Sequence, residues 1–105
     1  IHVLDLADSH IVALEYLLNN ESQNINLNLG TGRGTSVLEL INTFEKVNNV
    51  KIPYEYTDRR MGDCATLIAD NSKSISILNW EPKRTLNQMC FDGWKWQSSN
   101  PQGYN

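Results

Sequence analysis

Two adjacent guanidinium groups, Arg59 and Arg60, and the carboxylate of Asp63 lie within seven residues of a glycine-containing stretch, Thr57-Asp58-Arg59-Arg60-Met61-Gly62-Asp63. That combination suits a nucleoside diphosphate. The planar fork of an arginine meets phosphate oxygens two at a time, and a carboxylate three residues on accepts hydrogen bonds from ribose hydroxyls. The same residues also make a solvated, salt-bridged turn, because surface ion pairs are common and cost little. Taken alone, the stretch is better read as that solvated, salt-bridged turn.

A second candidate is Gly30-Thr31-Gly32-Arg33-Gly34, which imitates a phosphate-cradling loop ahead of a helix. The dinucleotide fingerprint G-x-G-x-x-G needs an acidic residue about 20 positions on, at a strand end. Here the glycines alternate, and the acidic residues that follow fall inside a helix. The glycines are better read as turn-formers that allow close packing. His2 and His10 have no second ligand at metal-binding spacing and read as core or surface histidines. Trp80, Trp94 and Trp96 could stack a base, but Trp94 keeps helical spacing with Cys90 and Leu86, which favours packing. Cys64 and Cys90 are too few and too far apart for a disulfide framework or a zinc site, so two buried or half-buried free thiols are expected.

The elements that must position these groups are legible as periodicities. Residues 5–19 carry Leu6, Ala7, Val12, Leu14, Leu17 and Leu18 at helical spacing, with Asp5 or Asp8 available as a cap and an end at Asn19-Asn20. Ile25, Leu27 and Leu29 alternate with asparagines, a half-buried strand pattern that runs into the glycine turn. Ser36 and Glu39 form a capping box for a helix with Val37, Leu40, Ile41, Phe44 and Val47 on one face. Ile52, Tyr54 and Tyr56 alternate around Pro53, which predicts an edge strand. Asp70 should cap a short helix through Ile75 and Leu78 that Trp80-Glu81-Pro82 stops, and Thr85 with Gln88 should open a last helix carrying Leu86, Met89, Cys90 and Trp94. The fold class is therefore α/β, helices with a few short strands. Two short strands cannot cover the apolar faces of four helices, so some faces need a partner surface that this chain lacks.

At 105 residues, the chain can bury roughly two thirds of its unfolded surface if it folds alone. It is 40% hydrophobic and 20% charged, with nine Lys and Arg against twelve Asp and Glu and a net charge of −3. No basic patch is present to hold a nucleic acid. No run nears the ~20 apolar residues of a membrane span, and His2, Asp5 and Asp8 interrupt what a secretory signal would keep apolar, so a cytoplasmic location is expected. The strand-like opening Ile1-His2-Val3, with no methionine before it, reads as the start of a piece.

Ile1-His2-Val3-Leu4-Asp5-Leu6-Ala7-Asp8, Asn28 through Glu39, Arg59-Arg60-Met61-Gly62-Asp63, Trp94-Lys95-Trp96-Gln97 and Asn100-Pro101-Gln102-Gly103-Tyr104 occur in order along essentially the whole chain. In these blocks the chain resembles the C-terminal third of the UDP-glucose 4-epimerases, a branch of the extended short-chain dehydrogenases with a Rossmann-type fold. The resemblance implies that residues 1–105 are a nucleotide-sugar-binding portion, and that the N-terminal NAD-binding Rossmann portion lies outside the chain. It implies epimerisation of UDP-glucose and UDP-galactose through a transient 4-keto sugar, with bound NAD as hydride acceptor and donor. The family's base is a Tyr in a Tyr-x-x-x-Lys pattern. Here Tyr16, Tyr54 and Tyr56 are followed four residues later by Asn20, Asp58 and Arg60, and Tyr104 by nothing, so no catalytic residue is expected in this chain and it should be inactive alone.

What the resemblance does carry over is substrate binding: Arg60 to the diphosphate, Asp63 to the ribose, and Leu67 beside the sugar. At that last position a bulky aromatic residue closes the pocket to a C2 N-acetyl group and a small one opens it. Leu67 then implies partial room. A homodimer is implied for the full-length protein. A freestanding nucleotide-sugar-binding module, or a related nucleotide-sugar dehydratase or decarboxylase, would share the scaffold.

Overall fold

Each of the four helical periodicities becomes a helix in the computed structural model, which describes residues 1–104. They are α1 (Val3–Leu18), α2 (Val37–Asn48), α3 (Ser72–Leu78) and α4 (Leu86–Ser99). They fall into two compact units. One comprises Ile1–Gly34 with Ile68–Thr85, the other Thr35–Leu67 with the segment from Leu86 onward.

In the first unit, α1 begins two residues earlier than its hydrophobic period suggests. The cap is His2, whose Nδ1 accepts from the Leu4 amide at 3.0 Å. The expected caps Asp5 and Asp8 are thereby placed inside the helix, and of the strand-like opening His2 keeps extended backbone while Val3 already belongs to the helix. One turn of helix brings positions i and i+3 to one face, and both carboxylates take hydrogen bonds from Arg84. Asp5 Oδ1 accepts from Nη1 at 2.6 Å, Asp5 Oδ2 from the Arg84 amide at 2.9 Å, and Asp8 Oδ2 from Nη1 at 2.9 Å. Asp5 is only 1% exposed. Burial pushes its carboxyl up, but the hydrogen bonds from the Arg84 backbone and guanidinium and from the Lys83 backbone outweigh that and hold it below its ordinary value. Leu78 and Trp80 are the buried apolar residues of this unit, alongside His2, Asp5, Ser9 and Ser74.

The glycine turn does pack closely, as its composition implies. A Cβ on Gly30 would lie 2.8 Å from the Ala69 Cβ, one on Gly34 would lie 2.8 Å from Ile68 Cδ1, and Gly32 adopts a φ of 68° against the Asn71 side chain. Asn71 Nδ2 donates to the Gly30 carbonyl at 2.9 Å, and Asn28 Nδ2 to that of Asp70 at 3.3 Å. Asp70 accepts from the Ser72 amide and hydroxyl at 3.0 and 2.6 Å, so it caps the entry to α3 one residue ahead of the helix-bounding Asn71. The α3 helix ends at Asn79, in the left-handed region at φ 49°. Gly30→Ala should lower stability by about 2 kcal/mol, within the range for overpacking, because the Ala69 Cβ that a new methyl would meet at 2.8 Å moves only with its own backbone. Side-by-side thermal melts of wild type and variant check this; an unchanged midpoint would mean the turn has slack.

In the second unit, Ser36 Oγ accepts from the Glu39 amide at 3.0 Å, and α2 closes on Asn49 in the left-handed region at φ 51°. The α2 and α4 helices pack together. Phe44 meets Trp94 edge to face at 5.7 Å, and Asn48 Nδ2 donates to the Cys90 carbonyl at 3.1 Å. Cys90 is the buried residue at this seam.

The expected strands do not form: among the described residues there is none, and the fold observed is helices joined by irregular segments. The alternation over 24–29 nonetheless sorts by exposure, with Ile25, Leu27 and Leu29 half-buried and the asparagines exposed. A strand needs a neighbour for its N–H and C=O groups, and among the described residues these segments have none. The helices likewise outrun their partners, since α1 leaves Ile11, Leu14 and Leu18 at 58%, 58% and 75% exposure along one stripe.

Candidate functional site

The arginine-bearing segment leaves α2 through a polar corner. Glu45 Oε1 accepts from the Ile52 amide at 2.8 Å, and Oε2 lies 3.3 Å from Lys51 Nζ. The Ile52 amide, and to a lesser degree Lys51, hold the Glu45 carboxyl below its ordinary value against the opposing effect of burial. From Pro53 to Leu67 every residue is exposed. The rings of Tyr54 and Tyr56 touch edge to face at 5.7 Å, with no neighbouring strand against them.

The turn at 60–63 brings two of the three candidate residues together. Arg60 Nε donates to Asp63 Oδ2 at 3.2 Å, the Asp63 amide donates to the Arg60 carbonyl at 3.3 Å, and Gly62 between them takes φ 88°, where glycine is favoured. The Arg60 side chain is 86% exposed. With Nε on Asp63 and the side chain in water, the donors of the two terminal nitrogens remain available to an oxyanion. Leu67 is 90% exposed and is not joined to the pair. Chemically the arrangement can bind an anion. Nearby, the Tyr54 phenol is pushed up by its hydrogen bond and charge interaction with Tyr56.

The side chains considered for base stacking are engaged in packing: Trp80 is buried, Trp94 lies on Phe44, and Trp96 meets Tyr104 at 5.6 Å. The space left by the three glycines is filled by Ala69, Asn71 and Ile68. Of the two free thiols, Cys90 is buried and its thiol is pushed up by that burial, whereas Cys64 is exposed, contrary to the expectation for both. The cause is its place in the 53–67 segment, which none of the described residues covers. Among the described residues no group of three or more His, Cys, Asp and Glu is placed to hold a metal ion, and no helix is long and apolar enough to cross a membrane. Sequence reasoning passed over Glu45. Its one signal was position, an acidic residue in the last turn of a helix, where the macrodipole disfavours it.

No family model matches the chain. Individual proteins do. It is 53% identical over 104 residues to UDP-glucose 4-epimerase of Bacillus subtilis and 46% identical to that of Dictyostelium discoideum, in each case across 99% of this chain and 30% of the relative. In structure it resembles a UDP-glucose 4-epimerase from Bifidobacterium longum solved with NAD+ and UDP, at TM-score 0.88 and 39% identity, over 99% of this chain and 30% of that one. It also resembles a UDP-Glc/GlcNAc 4-epimerase from Campylobacter jejuni, at TM-score 0.84 and 39% identity over 94% of this chain. The chain spans about 30% of the length of the curated relatives it matches. Over its whole length, and in both sequence and fold, this chain belongs with the UDP-glucose 4-epimerases, of which it corresponds to one portion.

Proposed function

We propose that these residues are the C-terminal, UDP-sugar-binding portion of an NAD-dependent UDP-glucose 4-epimerase of the short-chain dehydrogenase type, acting in the cytoplasm in galactose metabolism. The observation that carries this reading is 53% identity to such an enzyme across 99% of the chain. Arg60 holds the diphosphate, Asp63 the ribose, and Leu67 lies beside the sugar. The Tyr and Lys that move the proton, and the Rossmann portion that holds NAD, belong to the remainder of the full-length protein, which acts as a homodimer. NAD, when bound there, supplies a reversible hydride acceptor at C4 of the sugar. This chain's own residues fix the nucleotide end while the sugar end turns. Binding energy spent on the UDP therefore keeps a keto sugar from escaping while both of its faces are presented in turn.

The full-length protein should interconvert UDP-glucose and UDP-galactose. Product analysis that instead returned a 4-keto-6-deoxy or a decarboxylated sugar nucleotide would move it to a dehydratase or decarboxylase. Failure to bind UDP at all would remove the reading. In the same assay Leu67 predicts measurable turnover of UDP-GlcNAc, and none at all would end its assigned role.

A further inference from the structure

The segment that carries Arg60 and Asp63 is held by very little. Residues 51–67 contain no helix or strand, and every side chain from Pro53 to Leu67 is exposed. Within the segment the contacts are short-range: the Tyr54 and Tyr56 rings, the Arg60–Asp63 ion pair, and the Asp63 amide on the Arg60 carbonyl. Among the described residues, the hydrogen bonds that tie it to anything more than three residues away all end on Glu45.

Glu45 is unusually committed to this task. Its carbonyl accepts from the amides of Asn49 and Val50, which closes the helix, and its carboxylate takes the Ile52 amide and the Lys51 ammonium, which sets the direction of the chain leaving it. One residue thus fixes four consecutive positions, 49 to 52. A carboxylate in the last turn works against the helix dipole, so helix stability alone would not select it. The Ile52 amide is the group that makes it favourable, and that amide has no ladder partner to satisfy it otherwise. Arg60 lies eight residues beyond Ile52, a reach of up to ~26 Å in extended chain. Any loosening of backbone direction at 52 is therefore magnified at the guanidinium.

We propose that Glu45 is a positioning residue for UDP-sugar binding, its carboxylate fixing the departure of the 51–67 segment so that Arg60 and Asp63 are presented in one arrangement rather than many. This rests on the assignment of Arg60 to the diphosphate. The hydrogen bond to Ile52 is the working contact and Lys51 is accessory, because the amide fixes main chain whereas the ammonium sits on a flexible, 92% exposed stem.

The test uses the full-length protein with UDP as the titrant, calorimetry for Kd, steady-state kinetics for kcat and KM, and thermal melts. Glu45→Ala should weaken UDP binding and raise KM about tenfold while kcat stays within about twofold, because a looser segment has more arrangements to lose on binding. Glu45→Gln, which keeps an oxygen for the Ile52 amide, should recover most of that loss, and Lys51→Ala should change Kd by less than about twofold. Should Glu45→Ala not fold, Glu45→Asp serves in its place, since withdrawing the carboxylate by one methylene breaks the Ile52 bond and keeps the charge. A lowered melting temperature with unchanged Kd would reduce Glu45 to a stability role and overturn the proposal. Equal losses in Glu45→Ala and Glu45→Gln would also overturn it, by transferring the effect to charge. If Arg60→Ala weakens UDP binding and the Glu45 variants do not, this inference alone fails; if wild type does not bind UDP, it falls together with the functional reading.

Discussion

Replacing Asp5 by alanine should lower the unfolding free energy by about 3 kcal/mol, the larger of the stability effects expected here. Breaking a buried ion pair by removing one partner typically costs 3–5 kcal/mol, since the surviving charge is left without compensation. The low end applies because the Arg84 side chain is 29% exposed and keeps Asp8 at 2.9 Å. The Arg84 amide loses its acceptor and Nη1 loses one of its two, across a sequence separation that no helix or turn would otherwise bridge. Asp5→Asn separates the parts of the effect: its side-chain oxygen can still receive one donor, so it should cost less than alanine.

The same pair sets an acid limb. The Asp5 carboxyl is held below its ordinary value of 3.8 in the folded chain, so the unfolded chain binds its proton first as pH falls. Its stabilisation is complete above 3.8 and is lost as pH drops through the lower folded value. Denaturant titrations of the full-length protein from neutral pH downward should show stability falling below about pH 4 in wild type. Asp5→Asn should flatten that fall. Equal acid slopes in the two proteins would mean that Asp5 is not the group being titrated.

This pair also marks where sequence reading stops. The aspartates at 5 and 8 are three apart and were legible as a helix feature, but as caps; that Arg84 would lie over both is a contact across 79 positions, which periodicity does not encode. Helices were legible because their hydrogen bonds are internal and their ends carry local chemistry, as the Ser36 hydroxyl over the Glu39 amide shows. Strands were not, because their hydrogen bonds are external. The patterns at 25–29 and 52–56 specify which side is apolar, and the described residues supply no neighbour that would turn either pattern into a ladder. Arg60 and Asp63 were legible as residue types and as a pairable spacing. Leu67 enters as a candidate through the resemblance alone, since an exposed leucine in an irregular segment has no local signature of its own.

Arg60→Ala in the full-length protein should weaken UDP-sugar binding by about 1.5–3 kcal/mol, the range for a hydrogen bond to a charged group, while leaving thermal stability within about 0.5 kcal/mol of wild type. The small stability effect follows from the geometry. Among the described residues the side-chain partner lost is Asp63, at 3.2 Å, in an ion pair with the guanidinium almost wholly in water. Such pairs contribute little to folding because solvent screens them and two side chains must be ordered to make them. Their value is in orientation, since with Nε on Asp63 the plane of the guanidinium is set before ligand arrives and less rotamer freedom remains to be lost on binding. Arg60→Lys should therefore recover only part of the affinity: an ammonium restores the charge but neither the fork nor the anchoring through Nε. Asp63→Ala should weaken binding twice over, through the lost ribose contact and a freed Arg60, so the double variant with Arg60→Ala should be less impaired than the sum of the two single ones. Strict additivity in calorimetric titrations with UDP would show that the pair seen in the turn has no part in presenting the arginine, and an unchanged Kd for Arg60→Ala would remove it from the site.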